Sequence, residues 1–188
     1  VNEIIKQSGS SITIGESGDT INIGTTGDTI NLAGSSYSTS VAGTNSFFVK
    51  LSGVMSNTAN ATFVKVLFDS EIFDTDSVFN TSNNRFVAPA AGKYWLSTSI
   101  NTWGQNYNAY QVRTTYYING SETTYLRGAL LEVPSGQNDI ANVKFANSVL
   151  LNLSASDYVE VYSYSRNPNS SNTITIDSES TFMGFRVA

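Results

Sequence analysis

Short runs of alternating apolar and polar residues, separated by turn signals, fill the sequence from residue 47 onward. Apolar residues spaced two apart share one face of a β-strand, because successive side chains of a strand point to opposite faces. The runs cover 47–53, 62–68, 93–100, 112–118, 143–153, 158–164, 173–176 and 181–187. Between two of them, Asn119-Gly120 is the dipeptide typical of a two-residue hairpin. At least eight strands and no sustained helical period predict an all-β fold, a β-sandwich or jelly roll.

The first part of the chain is a repeat with a period of nine, ITIGESGDT-INIGTTGDT-INLAG, over residues 12–33. Each unit reads as a short strand with two apolar residues, followed by a Gly-x-x-Gly-Asp turn. Such a unit has almost no core of its own and has to stack on neighbours. We therefore predict that residues 1–33 form an oligomeric β-stem. Its shared axis would be lined by Ile12, Ile14, Ile21, Ile23, Ile30 and Leu32.

The same repeat is similar to the calcium-binding nonapeptide G-G-x-G-x-D-x-U-x. Here Gly24, Gly27, Asp28 and Ile30 follow the order G-x-x-G-D-x-I, without the second glycine and with Asp directly after Gly. An aspartate in that position more often closes a turn by accepting hydrogen bonds from backbone amides. We therefore expect no cofactor, and calcium is the open alternative.

Composition removes several classes of function. The 188 residues include no His and no Cys, which excludes His-dependent triads, thiol nucleophiles, ordinary zinc sites and disulfides. The net charge is −5 and the ten basic residues are scattered singly. A nucleic-acid partner is therefore not predicted, since it requires clustered positive charge. No apolar stretch approaches the roughly 20 residues of a membrane-spanning helix, so we predict no membrane insertion.

A segment rich in Gly, Ser and Thr, residues 34–46, shows no periodicity and is typical of a connector. It divides the chain into three predicted parts. They are the stem (1–33), the connector (34–46) and a head domain (47–188).

Three segments of the head carry motifs that are similar to those of a known family. The segment 85–100 fits F-x-x-P-x-x-G-x-Y-x-F with a leucine in place of the last aromatic residue. The segment 150–164 fits L-x-x-G-D-x-V-x-L with a serine in place of the glycine, and 180–187 fits S-x-F-x-G-F-x-L. The matching residues are Phe86, Pro89, Gly92, Tyr94 and Leu96; Asp157 and Val159; and Ser180, Phe182, Gly184, Phe185 and Val187. The head thus resembles the globular domain of complement component one-q and tumour necrosis factor, which implies a ten-stranded jelly roll that packs as a tight homotrimer through one sheet face.

The motif residues also have structural roles that do not depend on the family. Tyr94, Leu96 and Ile100 would line the buried face of one strand. Asp157 would close a turn by accepting from backbone amides. Gly184 would mark a bulge or a close approach of two backbones.

A tyrosine-rich strand is the candidate for the trimer face of the head. Tyr158, Tyr162 and Tyr164 share one side of the run 158–164, with Glu160 between them. Tyrosine buries well and keeps a hydroxyl group for hydrogen bonding, which suits an interface. An ordinary exposed tyrosine face is the alternative.

Two polar segments between strands, a first over residues 103–110 and a second over residues 166–172, are candidates for receptor binding. Aromatic rings stack on sugars, and amide side chains donate to and accept from sugar hydroxyl groups. We expect the two segments to lie at the same end of the sandwich. The predicted receptor-binding residues are Trp103, Gln105, Asn106, Tyr107, Asn108, Tyr110, Arg166, Asn167 and Asn169.

Catalytic and metal-binding sites are not predicted. The closest carboxylate pairs are Asp74 with Asp76, Asp157 with Glu160, and Asp177 with Glu179. Each pair lies in a polar stretch, where turns and solvated surface are the usual explanation. We therefore predict that the protein is not an enzyme.

A Gly-Asp-Thr-Ile repeat followed by such a head looks like structural proteins of tailed phages. The sequence therefore predicts a trimeric virion protein, a tail fibre or receptor-binding tip that contacts host surface glycans and joins other virion proteins through its stem. Three equivalent weak sites would gain affinity through effective concentration. Two alternatives are a capsid decoration or cement trimer without a receptor, and a tailspike-like polysaccharide depolymerase.

Overall fold

The computed structural model describes residues 45–57, 60–104, 111–132, 142–166 and 174–187. The chain divides into two compact units, Val1–Ser40 and Val41–Ala188, and every described residue belongs to the second. The predicted stem lies outside the described residues, and so does the predicted connector apart from Asn45 and Ser46.

The described residues form fourteen β-strands and two 3-10 turns, Thr75–Ser77 and Thr124–Leu126. In chain order the strands are β1 Ser46–Lys50, β2 Met55–Asn57, β3 Thr62–Lys65, β4 Ser70–Asp74, β5 Phe79–Asn80, β6 Arg85–Val87, β7 Gly92–Gly104, β8 Gln111–Ile118, β9 Ser121–Glu122, β10 Leu131–Glu132, β11 Asn142–Leu153, β12 Tyr158–Arg166, β13 Ile174–Ile176 and β14 Thr181–Arg186. All eight runs predicted from the sequence are confirmed as strands, and six short strands accompany them. In this part of the chain no helix is long and apolar enough to cross a bilayer.

The strands form two seven-stranded sheets. The first runs β2-β13-β7-β14-β1-β4, with β11 on the other side of β7; the second runs β10-β8-β12-β6-β5, with β3 beside β12 and β9 beside β8. Within each sheet, the described neighbouring strands pair antiparallel. The all-β, two-sheet architecture predicted from the alternation is therefore confirmed.

A cluster of aromatic rings joins the two sheets. Phe182 of β14 lies at its centre, with its ring centroid 4.9 Å from that of Phe47 and about 6 Å from those of Phe68, Phe79 and Tyr116. All five side chains are buried. Because these rings come from both sheets, their packing holds the sheets face to face.

The motif residues take the structural positions expected of them. Tyr94, Leu96 and Ile100 are fully buried on one face of β7. Gly184 is a point of close approach, since a Cβ added there would meet the Leu96 side chain and lie 2.9 Å from the Trp95 carbonyl oxygen. No other residue fits this position without displacing its neighbours.

The Asn119-Gly120 hairpin is confirmed and is tied to a neighbouring turn. It joins β8 to β9 with both residues at positive φ, 51° and 76°, as a type I′ turn requires. The Asn119 side chain donates from Nδ2 to Asp157 Oδ1 at 2.8 Å and accepts from the Tyr158 amide at 3.0 Å. Asp157 also accepts from the Ser154 amide at 2.7 Å, so it closes its own turn as predicted.

We expect Asp157 to make the stability of the head fall in acid. Hydrogen bonds from Asn119 and from the Ser154 amide hold the pKa of Asp157 below its ordinary value of 3.8. Its stabilisation is therefore complete above that value and is lost as the pH falls through the lower pKa of the folded state. The Asp157→Asn variant should show a flatter dependence of unfolding free energy on pH below about pH 4.

Urea unfolding at a series of pH values measures this dependence. Glu71→Gln, which removes an exposed carboxylate of β4, is the control for the loss of one negative charge. An unchanged acid slope in Asp157→Asn would contradict the prediction.

Candidate functional site

The strand ends that flank the two predicted receptor segments lie together. Gly104 and Gln111 flank the first segment, and Arg166 and Ile174 flank the second. Gly104 pairs with Ile174 in the first sheet, and Gln111 pairs with Arg166 in the second. We call this end of the sandwich the loop end.

Most of the predicted receptor residues are not among those that the structure describes. Trp103 lies in β7, where its backbone pairs with Asn142 and Thr175, and Arg166 is exposed at the end of β12. The other seven lie outside the described residues: Gln105, Asn106, Tyr107, Asn108, Tyr110, Asn167 and Asn169. Their role in receptor binding stays a prediction.

The head begins at the opposite end of the sandwich. The Arg186 amide donates to the Asn45 carbonyl at 3.0 Å, and the Val187 amide donates to the Lys93 carbonyl at 2.7 Å. Lys93 lies at the start of β7, and Gly104 is the last residue of that strand. The twelve residues of β11 pair with β7 along its length. The first described residue, Asn45, therefore lies at the end of the head farthest from the loop end.

The three tyrosines predicted at the trimer interface lie on the outer face of the second sheet. They are joined there by Phe63 of β3 and Tyr117 of β8, and we call these five residues the tyrosine face. The ring centroids of Tyr117 and Tyr162 are 3.8 Å apart, and those of Phe63 and Tyr164 are 5.2 Å apart. All five side chains are half-buried. Their common side is as predicted, and their role in a trimer stays a prediction.

Charged side chains lie among these rings. The Arg85 guanidinium lies 4.3 Å from the Tyr158 ring centroid, and the Arg113 guanidinium lies 5.3 Å from that of Tyr164. Lys65 forms an ion pair of 2.5 Å with Glu160, which is 7% exposed.

A second ion pair lies beside Phe63 and Tyr117 of the tyrosine face. Arg127 binds Glu122 through two hydrogen bonds of 2.6 and 3.0 Å. The hydrogen bond from Arg127 lowers the pKa of Glu122. Burial and the nearby Glu160 raise the pKa of Tyr162 to about 12.

Three buried polar atoms of the same sheet face have no hydrogen-bond partner among the described residues. They are Arg85 Nε, Arg113 Nε and Thr115 Oγ1. Buried polar atoms are normally paired. The tyrosine face therefore contains cationic donors that lack an acceptor within the described head.

An apolar surface covers the outer face of the first sheet. One row across it consists of Leu150, Trp95 and Phe185, which are directly opposite each other on β11, β7 and β14. The centroids of the Trp95 and Phe185 rings are 5.4 Å apart. A second row adds Met183, Phe48 and Phe73. We call these six residues the apolar face.

The apolar face is exposed to an unusual degree. The exposed fractions are 59% for Leu150, 49% for Phe73 and 43% for Phe185. A contiguous exposed apolar patch marks a site of interaction, whereas scattered apolar residues do not. Sequence reasoning missed this face, although consecutive apolar residues such as Trp95-Leu96 and Leu150-Leu151 carried its signal. In an antiparallel strand one residue of such a pair has to face outward.

The carboxylate pairs considered for catalysis serve the fold. Asp74 accepts from the amides of Val78 and Phe79, both at 2.9 Å. Asp76 accepts from Asn45 Nδ2 at 2.7 Å, and Asp177 accepts from the Glu179 amide at 2.9 Å. Across the described ranges, three or more His, Cys, Asp or Glu side chains do not gather in a group that would hold a metal ion.

Comparisons with known proteins agree with the sequence motifs. No protein-family model matches the chain. It is 34% identical over 102 residues to the phage-like element PBSX protein XkdV of Bacillus subtilis, and 33% identical over 104 residues to protein YqcC of the same organism. Each match covers 53% of this chain. Complement C1q tumor necrosis factor-related protein 6 of Rattus norvegicus is 28% identical over 123 residues, 65% of this chain.

The matches cover only part of these proteins, namely 15% of XkdV, 27% of YqcC and 41% of the rat protein. Among solved structures, the globular domain of zebrafish complement 1qA has a TM-score of 0.45 and 14% identity over 77% of this chain and 98% of its own. The chain resembles a protein of a phage-like element, and its head resembles the globular domain of the complement one-q and tumour necrosis factor family.

Proposed function

We propose that this chain belongs to a trimeric virion protein, a tail fibre or receptor-binding tip, that attaches a phage particle to glycans on its host. The similarity to XkdV of a phage-like element is the observation that carries the proposal. The complement one-q-like head supports a homotrimer, because domains of this kind are typically trimeric. The proposed role is attachment rather than catalysis.

We infer that the trimer packs through the apolar face. Leu150, Phe73 and Phe185 hold the exposed apolar area that association would remove from water. The tyrosine face predicted from the sequence is the rival interface. Its rings already pack on each other and under arginines, which leaves them half-buried in one chain.

The stem completes this proposal. The isoleucine repeat of residues 12–33 would keep the three chains in register and join the head to other virion proteins. The first described residue of the head, Asn45, lies at the end farthest from the loop end.

Removing two aromatic rings from the first receptor segment tests glycan binding. We expect Tyr107→Ala/Tyr110→Ala to weaken binding to a glycan array about tenfold or more, because each stacked ring supplies apolar contact to a sugar. The control is Tyr125→Ala, which removes a tyrosine that is 81% exposed elsewhere on the head. Undiminished array binding by the double variant would contradict the loop site.

Location on the particle tests the attachment role itself. Cryo-EM of virions labelled through an antibody to the head should place the label on the tail. Label over the capsid would instead favour a decoration trimer. Release of reducing ends from host polysaccharide by the purified protein would favour a depolymerase.

A further inference from the structure

We propose that the tyrosine face binds an acidic polysaccharide, with Arg85 and Arg113 as the contacts for its carboxylate groups. This inference rests on the proposed attachment to host glycans. It adds the charge class of the glycan and a second binding surface along the sheet, which reaches the loop end at Arg166.

The fold gathers basic residues that are scattered in the sequence. Strands of the tyrosine face carry Lys65, Arg85, Arg113 and Arg166, and Arg127 lies over Phe63 with its guanidinium 5.4 Å from the ring centroid. These are five of the ten basic residues of the chain. The acidic residues on the same face are Glu122, Glu132 and Glu160. Five basic against three acidic side chains leave a surplus of two positive charges, on a chain whose net charge is −5.

Two of these cations form no ion pair with a carboxylate in the described contacts, although Arg113 is close enough to Glu122 to help lower the pKa of that carboxyl group. Lys65 is paired with Glu160, and Arg127 with Glu122. Arg85 and Arg113 instead lie over tyrosine rings, and within the described head their Nε atoms have no acceptor. Because these Nε atoms are buried, a carboxylate would be bound end-on, by the parallel N–H donors of the two terminal amino groups of the planar guanidinium. The ring beneath each group restricts its plane, so less side-chain entropy is lost on binding.

The arrangement of the rings favours a sugar polymer over a nucleic acid. Bases bind protein surfaces by stacking on open aromatic faces. On this face Arg85 covers Tyr158, Arg113 covers Tyr164, and the Tyr117 and Tyr162 rings lie 3.8 Å apart, against each other. What remains for a ligand is a set of hydroxyl and guanidinium donors, which are the partners of sugar hydroxyl groups and carboxylates.

Titration of the full chain with three polymers tests the inference. The probes are polygalacturonate oligomers, neutral dextran, and single-stranded DNA of the same number of charges. We expect polygalacturonate to bind more tightly than DNA or dextran, and its affinity to fall as salt is added. Binding of DNA as tight as that of polygalacturonate would overturn the inference.

Paired variants locate the site. Arg85→Gln/Arg113→Gln should weaken polygalacturonate binding by about tenfold or more, because two charge-assisted contacts are removed. Lys50→Gln/Lys144→Gln makes the same change of net charge on the first sheet, and we expect it to retain the affinity. Thermal unfolding and molecular mass, measured on every variant, show whether it folds and assembles.

If Arg85→Gln/Arg113→Gln fails to fold, Arg85→Lys/Arg113→Lys is the substitute test. It keeps both charges but removes the planar guanidinium groups, and we expect it to weaken polygalacturonate binding several-fold. If Arg85→Gln/Arg113→Gln and Lys50→Gln/Lys144→Gln lose the same affinity, the site is overturned. An altered molecular mass of the arginine variant with unaltered polygalacturonate affinity would also overturn it, because these arginines would then belong to an interface between chains. Array binding of neutral glycans alone would overturn this inference and leave the attachment role standing. Array binding of no glycan would contradict both.

Discussion

Replacing Phe182 by alanine is expected to lower the free energy of unfolding of the head by about 3–5 kcal/mol. Phe182 is 1% exposed and its ring contacts four other buried rings, those of Phe47, Phe68, Phe79 and Tyr116. Truncation removes the apolar transfer energy of the ring and leaves a cavity that neighbours from two sheets cannot fill without moving apart.

Urea unfolding followed by tryptophan fluorescence measures this loss. Because the proposed trimer would couple stability to concentration, wild type and variants have to be compared at one protein concentration. Tyr125→Ala is the control, and we expect it to change stability by less than about 0.5 kcal/mol, since Tyr125 is 81% exposed. A Phe182→Ala loss below about 1 kcal/mol would contradict the core described above.

Two aspartates in the apolar face are expected to convert the proposed trimer to monomers. Leu150 and Phe185 lie in one row of this face, on either side of Trp95. In a packed interface, Leu150→Asp/Phe185→Asp would bury unpaired carboxylates, at a cost of several kcal/mol for each charge. Light scattering at micromolar concentration should therefore give the mass of a trimer for the wild type and of a monomer for the variant.

A matched variant separates the position from the added charge. Val54→Asp/Tyr125→Asp introduces the same two charges at residues that are 56% and 81% exposed, and we expect it to remain a trimer. If Leu150→Asp/Phe185→Asp stays trimeric while Tyr162→Asp dissociates, the tyrosine face is the interface and the apolar face is not. A wild type that is a monomer would contradict the trimer altogether.

Local signals in the sequence predicted the longer strands and their turns. Asn119-Gly120 specifies a hairpin because both positions need positive φ, and Gly184 is required where two backbones nearly touch. The short strands β4 and β5 were not predicted. β4 exists because it pairs with β1, and β5 has two residues whose conformation depends on β6. Their cause is a partner distant in the sequence, which local propensity does not contain.

The sequence predicted which residues of one strand share a face of the sheet, but not which residues of neighbouring strands join them. Period two places Tyr158, Tyr162 and Tyr164 on one side of β12, as the structure shows. The addition of Phe63 and Tyr117 depends on strand order and register, which the sequence pattern does not specify. The same holds for the clustered arginines, since Arg85 and Arg113 are brought to one face by pairing with β12.

The hairpin at Asn119 also bears on how long the polypeptide stays chemically intact. In an Asn-Gly sequence the glycine amide is little shielded and can attack the asparagine side-chain carbonyl, which releases ammonia and rearranges the backbone. Here the side-chain oxygen of Asn119 accepts from the Tyr158 amide, and the side-chain nitrogen of Asn119 donates to Asp157. The ring-closing geometry therefore requires the hairpin to open first. The rate at which Asn119 loses ammonia is thus governed by local opening of the fold. The folded turn before β9 therefore slows this rearrangement of the Asn119-Gly120 backbone.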